Sequence, residues 1–520
     1  MKALFLNEKD DFPGKEWGSW FDKYREYGAW YSGEQDQLLQ YYGVKAEQAS
    51  LNKFWKRINK NNRDGIVHLP AASDVCDTSA KLLFAESPRL TFDKGTAGGE
   101  RIVNFMTENG FLNVLLESAE LSAAFSGVFL KLDLDRELSE YPIVSIITPL
   151  QAFPMFRRGR LSEVCFYREV KRVENANKIY RLFENRRLEN KKLIIEYQLH
   201  EGTNGKVGRQ IGLNSIDETK DLILDPVDLG NVGGLGCVYI PNMRPNKILP
   251  GSPLGANDFS QSIPLMDSLD FAWSSWMRDI ELGYGKVFVD TELLNFQKEQ
   301  GDLSVTSGFF DTFEKAFIKL NMSDWRLGGE SGTKPIENVQ FDIRTEDHRK
   351  ACDALFYQIV NNCGYSPQTF GLGDFGRAES GTALRIREHK SQLTREKKSR
   401  YWTPALMSLL YQAQLIDQYE SKKYTPEEID IELEDSILID SKEVSEVLRN
   451  LDQAEAISTY LKVKTLHPEW EEENIKEEVD KIIKEKGIQS DFLEDNEPPV
   501  NYDTEEKDEE NNKEDDSNKK

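Results

Sequence analysis

The sequence predicts an α+β protein, and three observations carry that prediction. Hydrophobic periodicity is helical up to about Ala124, changes to short alternating strands over residues 127–224, and returns to helix beyond Ser260. The strand region is a series of separate runs, SGVFLKLDL, YPIVSIITP, EVCFYREVKRV, NKIYRLFENRRLE and KKLIIEYQLHEG, each closed by turn residues, the pattern of an antiparallel sheet. Finally, no glycine or proline interrupts residues 382–403, while Gly371, Gly373, Gly376 and Gly381 crowd just before them. A pliable loop feeds a stiff helix.

Composition bounds the function. The 520 residues suggest roughly three domains of about 150 residues. No run approaches the ~18 apolar residues of a membrane span. The first segment, MKALFLNEKDDFPGKEW, has too short an apolar patch for a signal-peptide core, so synthesis in a cytoplasm and no membrane contact are expected. The five cysteines, Cys76, Cys165, Cys237, Cys352 and Cys363, lack CxxC spacing, and the five histidines are dispersed. We expect buried free thiols, no metal and no cofactor. A formal net charge of −24 argues against a protein that coats nucleic acid. It suits a wall past which a polyanion must slide, because each neutralised phosphate adds drag.

Along the chain, Trp17, Trp20, Phe21, Tyr24, Tyr27, Trp30 and Tyr31 recur at the spacing of one helix face, which reads as a packed amphipathic arm. Base stacking on these rings is the alternative, and no basic groove accompanies them. A helix near residues 73–86 ends before Pro88. A second, near residues 98–124, offers Ile102, Phe105, Met106, Leu112, Leu115, Leu116 and Ala119 to a core. Asp133 and Asp135 have no partner histidines and read as a solvated strand edge. The GGLG run at residues 233–236 lacks the GxGxxG spacing, the lysine-serine pair and the following helix of a phosphate loop, so it reads as a turn beside a strand.

Ser260 or Ser262 can then cap a helix with Pro264 in its first turn and Leu265, Leu269, Ala272, Trp273, Trp276 and Ile280 on its apolar face. KVFVDTELL and ENVQFDIR read as strands of a small excursion, and a helix over residues 345–362 returns from it. The basic helix follows, with Arg385, Arg387, Lys390, Arg395, Lys397, Lys398 and Arg400 against only Glu388 and Glu396. Pro404 should kink it, separating an apolar second half from a first half that is not core. Residues 426–439 read as an exposed strand or turn. One helix face links Val444 to Leu461, and another helix begins near Pro468. The tail, residues 491–520, carries thirteen acids and four lysines and should be disordered.

The runs NDFSQSIPLMDSLDFAWSSWMRDI (residues 257–280) and SPQTFGLGDFGRAESGTALRIRE (residues 366–388) resemble portal proteins of tailed bacteriophages, the head-tail connectors of long-tailed phages of Gram-positive hosts. The resemblance spans roughly residues 73–487 and rests on the order of segments, not on a catalytic motif. It implies an N-terminal helical arm (1–72), a wing (73–256), a stem helix (257–282) carrying Trp273, Trp276 and Arg278, and a β-rich clip (283–344). A second stem helix (345–364), a tunnel loop (365–380), a kinked spine helix (381–419) and a helical crown (420–490) follow. It further implies a ring, as a homododecamer, through which double-stranded DNA is packaged and ejected. The implied partners are the terminase large subunit, head-tail adaptors, and the major capsid and scaffolding proteins, in a virion assembled in the host cytoplasm. On this pattern Phe370, Gly371, Gly373, Asp374, Gly376, Arg377 and Glu379 lie nearest the DNA, and Arg377 is the nearest cation. The basic helix then faces either DNA or acidic residues of a neighbouring copy. Another phage structural or packaging accessory protein is the alternative. An enzyme of the packaging motor is a poorer one, since no phosphate loop or metal-spaced carboxylate cluster is present.

Overall fold

The computed structural model describes residues 7–43, 54–58, 65–283, 286–290, 317–320, 336–339, 343–372, 381–419, 424–433, 441–467, 470 and 472–485. It divides into two compact units, Met1–Ile437 and Leu438–Lys520.

The larger unit opens with the aromatic arm, α1 (Gly18–Tyr31), α2 (Gln35–Gly43) and α3 (Phe54–Arg57). Phe21, Tyr24, Tyr27 and Trp30 are buried, and Trp20 and Tyr31 pack at the edge of the same apolar cluster as Trp30. That cluster also holds Phe259, Met266 and Ile359, so the arm packs on its own chain and its rings are spent on the core. Next come α4 (Ala71–Phe84), β1 (Arg89–Thr91), α5 (Ala97–Glu108) and α6 (Phe111–Phe125). The single helix expected over residues 98–124 is therefore two. Gly110 adopts φ +53° and stops α5, and the restart shifts the phase. Phe111 and Leu115 face the core, and Leu112 is 47% exposed.

The period change at Gly127 is real. β2 (Gly127–Asp133) and β3 (Ile143–Ile147) lead into β4 (Ala152–Arg157), β5 (Arg160–Val173), β6 (Lys178–Glu189), β7 (Lys192–Thr203) and β8 (Lys206–Ile211). β4 to β8 form one antiparallel meander, joined at β7 by β9 (Val227–Asp228). β10 (Cys237–Pro241) pairs with the other edge of β2 from β3, making a separate three-stranded sheet.

Between the two sheets lies an ion network the sequence did not reveal. The buried Arg186 guanidinium donates to Glu184 (2.5 Å) and Asp133 (2.7 Å), and Lys131 Nζ reaches Glu184 at 2.8 Å. Asp133 is thus a structural counterion. Burial pushes the Glu184 carboxyl up, but the Arg186 and Lys131 charges outweigh it and hold it at about 2. A carboxylate depressed in the folded state stabilises above its unfolded value, about 4.3, and that contribution is lost as pH falls toward 2. Denaturant melts should therefore weaken over pH 4.3 to 2, and Glu184→Gln should flatten that limb while lowering stability at neutral pH.

α7 (Ile263–Gly283) leaves the sheet region, and β11 (Lys286–Asp290), β12 (Phe317–Leu320) and β13 (Ile336–Val339) form a small sheet in the order β12-β11-β13. α8 (Thr345–Cys363) returns from it and stops at Gly364, φ +94°. The hairpin with a β tip is present as expected. α9 (Gly381–Asp417) then runs through Pro404 without interruption. β14 (Asp430–Glu432) pairs with β1, and Ile429 and Ile431 are buried, so the strand expected to be exposed instead closes a core edge. The principal core gathers β2, β10, α5, α6 and the second half of α9 around Leu115, Phe129, Trp402 and Leu409.

The smaller unit contains α10 (Ser441–Gln453), α11 (Thr459–Leu466) and α12 (Glu472–Glu485). The continuous face expected from Val444 to Leu461 is broken, because Glu455 takes φ +53° and the Ser458 hydroxyl caps α11, accepting from the Leu461 N–H. The acidic tail lies outside the described residues.

Candidate channel loop and the polar joint beneath it

Gly364 turns the chain out of α8, and a 3-10 turn over Pro367–Phe370 and Gly371 at φ +72° begin the loop. The Phe370 ring lies 6.1 Å from Tyr365 and 6.3 Å from Phe356, so it anchors the near side of the loop on α8. Gly371 is exposed. Gly373, Asp374, Gly376, Arg377 and Glu379 lie outside the described residues, as does the side chain of Arg385.

The loop base is stitched to α9. The Ser366 N–H donates to Ser391 Oγ (2.8 Å) and its hydroxyl to the Arg387 carbonyl (2.6 Å), while the Thr394 hydroxyl donates to the Gly364 carbonyl (2.6 Å). Beneath it Lys398 Nζ donates to Asp258 Oδ2 (2.6 Å), Ser79 Oγ (2.5 Å) and Tyr365 Oη (3.0 Å). The Tyr365 hydroxyl donates to the same Asp258 oxygen (2.7 Å), and Asn242 Nδ2 donates to the other (2.7 Å). Burial, reinforced by the Asp258 charge, pushes the Tyr365 phenol well up, so it stays a donor. One buried ion pair joins α4, the segment before α7, the turn after α8, and α9.

The expectation that the first half of α9 is not core is therefore corrected. It buries a polar stripe, Ser391, Gln392, Arg395 and Lys398. Arg395 donates to the carbonyls of Leu82 (2.7 Å) and Leu433 (3.2 Å), and Lys390 Nζ reaches the Asn361 carbonyl at 2.5 Å. The cations of this half are divided between internal struts and surface. Arg387, Lys397, Arg400 and Pro404 are exposed.

On the hairpin, Trp273 and Trp276 lie 4.9 Å apart, and Trp276 stacks on His348 at 6.2 Å. Asp279 accepts from His348 and Arg344, each at 2.8 Å, and these bonds hold its carboxyl below the usual range. Arg278 is exposed. Ser262 does not cap α7 with its side chain, whose hydroxyl instead donates to the Ile359 carbonyl of α8 (3.3 Å). Two buried carboxylates that sequence reasoning passed over do more. Asp267 accepts from the Phe54 N–H (2.7 Å), and Asp270 accepts from the Trp55 indole (2.8 Å) and the Leu69 N–H (3.0 Å). Their only sequence signal is two acids on the apolar side of a helix, at positions 267 and 270.

The GGLG run is a turn packed on α9. The Gly236 N–H donates to Gln412 Oε1 (2.9 Å), and a Cβ on Gly234 would meet the Gln412 side chain at 2.5 Å. No group of three or more His, Cys, Asp or Glu that could hold a metal occurs among the described residues. No helix among them is long and apolar enough to cross a membrane.

A hairpin with a β tip, a polar joint at the base of the glycine loop and a long helix threading the core make up the architecture around the candidate site. Residues 21–490 match the family described as phage portal protein, SPP1 Gp6-like, and the chain belongs to that family. It is a portal protein, a non-enzymatic component of the virion at the capsid vertex. No curated protein matches it. Similar solved structures include a chain of the virion of a native gene transfer agent particle, at 12% identity and TM-score 0.40, covering 82% of this chain and 98% of that one. A chain from the neck of the native particle, computed with C12 symmetry, is 11% identical with TM-score 0.40, over 76% of this chain and 89% of that one. Another, from the neck of the empty particle, computed with C6 symmetry, is 11% identical with TM-score 0.38, over 76% and 90%.

Proposed function

We propose that this protein forms a homo-oligomeric ring, a homododecamer on the family pattern, whose channel passes double-stranded DNA during packaging and ejection. Membership of the portal family over residues 21–490 is the observation that carries this reading. In it, residues 73–256 are the wing, the α7 and α8 hairpin the stem, its β tip the clip, α9 the spine, and residues 420–490 the crown. The clip docks the terminase large subunit and later the head-tail adaptors, and the outer parts meet the major capsid and scaffolding proteins. The loop from Phe370 to Glu379 reaches toward DNA, and the acids Asp374 and Glu379, on either side of Arg377 in the sequence, keep any phosphate grip weak. The joint below supports this, because the bonds of Ser366 and Thr394 fix the base of the loop to α9.

Negative-stain images of purified protein should show rings with a central hole, and monomers alone would overturn the reading. Shortening residues 371–376 should leave rings intact and cut packaged DNA by about tenfold or more. Loss of rings in that variant would make the loop an assembly element.

A further inference from the structure

α9 carries a second seam, opposite its buried one. Ile386, Leu393, Met407 and Tyr411 are exposed by 72%, 50%, 37% and 43%. Lys390, Lys397, Arg400 and Pro404 fall between them, so the stripe advances by alternating four and three residues along the helix. That spacing is what two helical turns present to a partner. Along its second half the seam borders a cleft of about 580 Å³ whose walls include Leu161, Leu188 and Val238, with Arg160 and Arg400 both lining it. Arg160, Lys397 and Arg400 form no ion pair with any described carboxylate, although the chain has 90 acids against 66 lysines and arginines.

An apolar floor edged by unpaired cations suits an acidic peptide surface bearing aliphatic side chains. It suits naked DNA less well, since DNA offers phosphates and no aliphatic groups to cover Leu393, Met407 or the cleft wall. Such a surface exists on the same chain. In residues 221–226 Ile223 and Leu224 are 60% and 62% exposed, flanked by Asp221 and Asp225, which pair with no described cation. Two complementary but different patches on one chain make a head-to-tail contact, the kind that closes into rings when the rotation allows.

We propose that the exposed seam and cleft of α9 receive a second copy of this chain through its acidic aliphatic loop, residues 221–226. The proposal rests on the ring reading above. Its test is charge reversal and swap, read by ring counts in negative stain and by sedimentation at matched concentration. If the wild type makes rings, the double variant Arg160→Glu with Arg400→Glu should lose them, an effect of about tenfold or more on assembly. Asp221→Arg with Asp225→Arg should lose them as well, and mixing the two variants should restore mixed assemblies. Circular dichroism of each variant should match the wild type, since all four groups are exposed. Unimpaired rings in either variant, or no recovery on mixing, would overturn the proposal. So would a loss of affinity for a duplex DNA probe with rings intact, which would assign the cations to DNA. A wild type without rings would instead sink the ring reading itself.

Discussion

Lys398→Met should destabilise the protein by about 3–5 kcal/mol, the usual cost of leaving a buried charge without its partner. The Lys398 and Asp258 side chains are 1% and 0% exposed, so neither ion has water to fall back on. Methionine fills a similar volume and leaves Asp258 with Tyr365 and Asn242 as its side-chain donors among the described residues. The pair itself need not be a net gain over apolar packing, and this gives the control. Asp258→Asn added to Lys398→Met removes the orphaned charge and should recover part of the loss. Urea unfolding of unassembled protein reads both. If Lys398→Met were as stable as the wild type, the pair would not hold the joint. The same variant should loosen the loop base, because the Lys398 bond to Tyr365 fixes the turn from which Ser366 reaches Ser391. Hydrogen exchange at Ser366 should quicken.

Much of this architecture was legible in the sequence because it obeys period and punctuation. The change at Gly127 and the stop at Gly364 each follow from a glycine's backbone freedom, whereas the helix continues through Pro404 against that residue's preference. What stayed hidden depends on contacts distant in sequence. The basic half of α9 advertised seven cations, and charge count alone suggested a surface. Two of them, Arg395 and Lys398, are internal because carbonyls and a carboxylate from residues 82, 258 and 433 converge on them. The break at Gly110 was readable in principle as a helix stop, but the apolar face on either side outweighed a single glycine. The β1 to β14 pairing joins residues more than three hundred apart, and no local pattern announces it.

The largest unread feature is the attachment of the N-terminal arm, and it yields the other large effect. Asp270 is fully buried and accepts from the Trp55 indole, the Leu69 N–H and the His68 ring, the last at 2.8 Å. Asp270→Ala strips the acceptor from all three, and each buried donor left unmade costs about 1–3 kcal/mol. A loss of about 3 kcal/mol or more is expected, concentrated where the arm meets α7. Because α3 also hangs from the neighbouring Asp267 rather than from a long helix of its own, the arm should open before the sheets do. Limited proteolysis of Asp270→Ala should cut within residues 54–70 while the remainder resists. Asp270→Asn keeps one acceptor oxygen and adds a donor that finds no partner, so its loss should be smaller but real. Wild-type stability and an unchanged cleavage pattern in Asp270→Ala would mean that the aromatic packing of Trp30 and Trp55 holds the arm without the carboxylate.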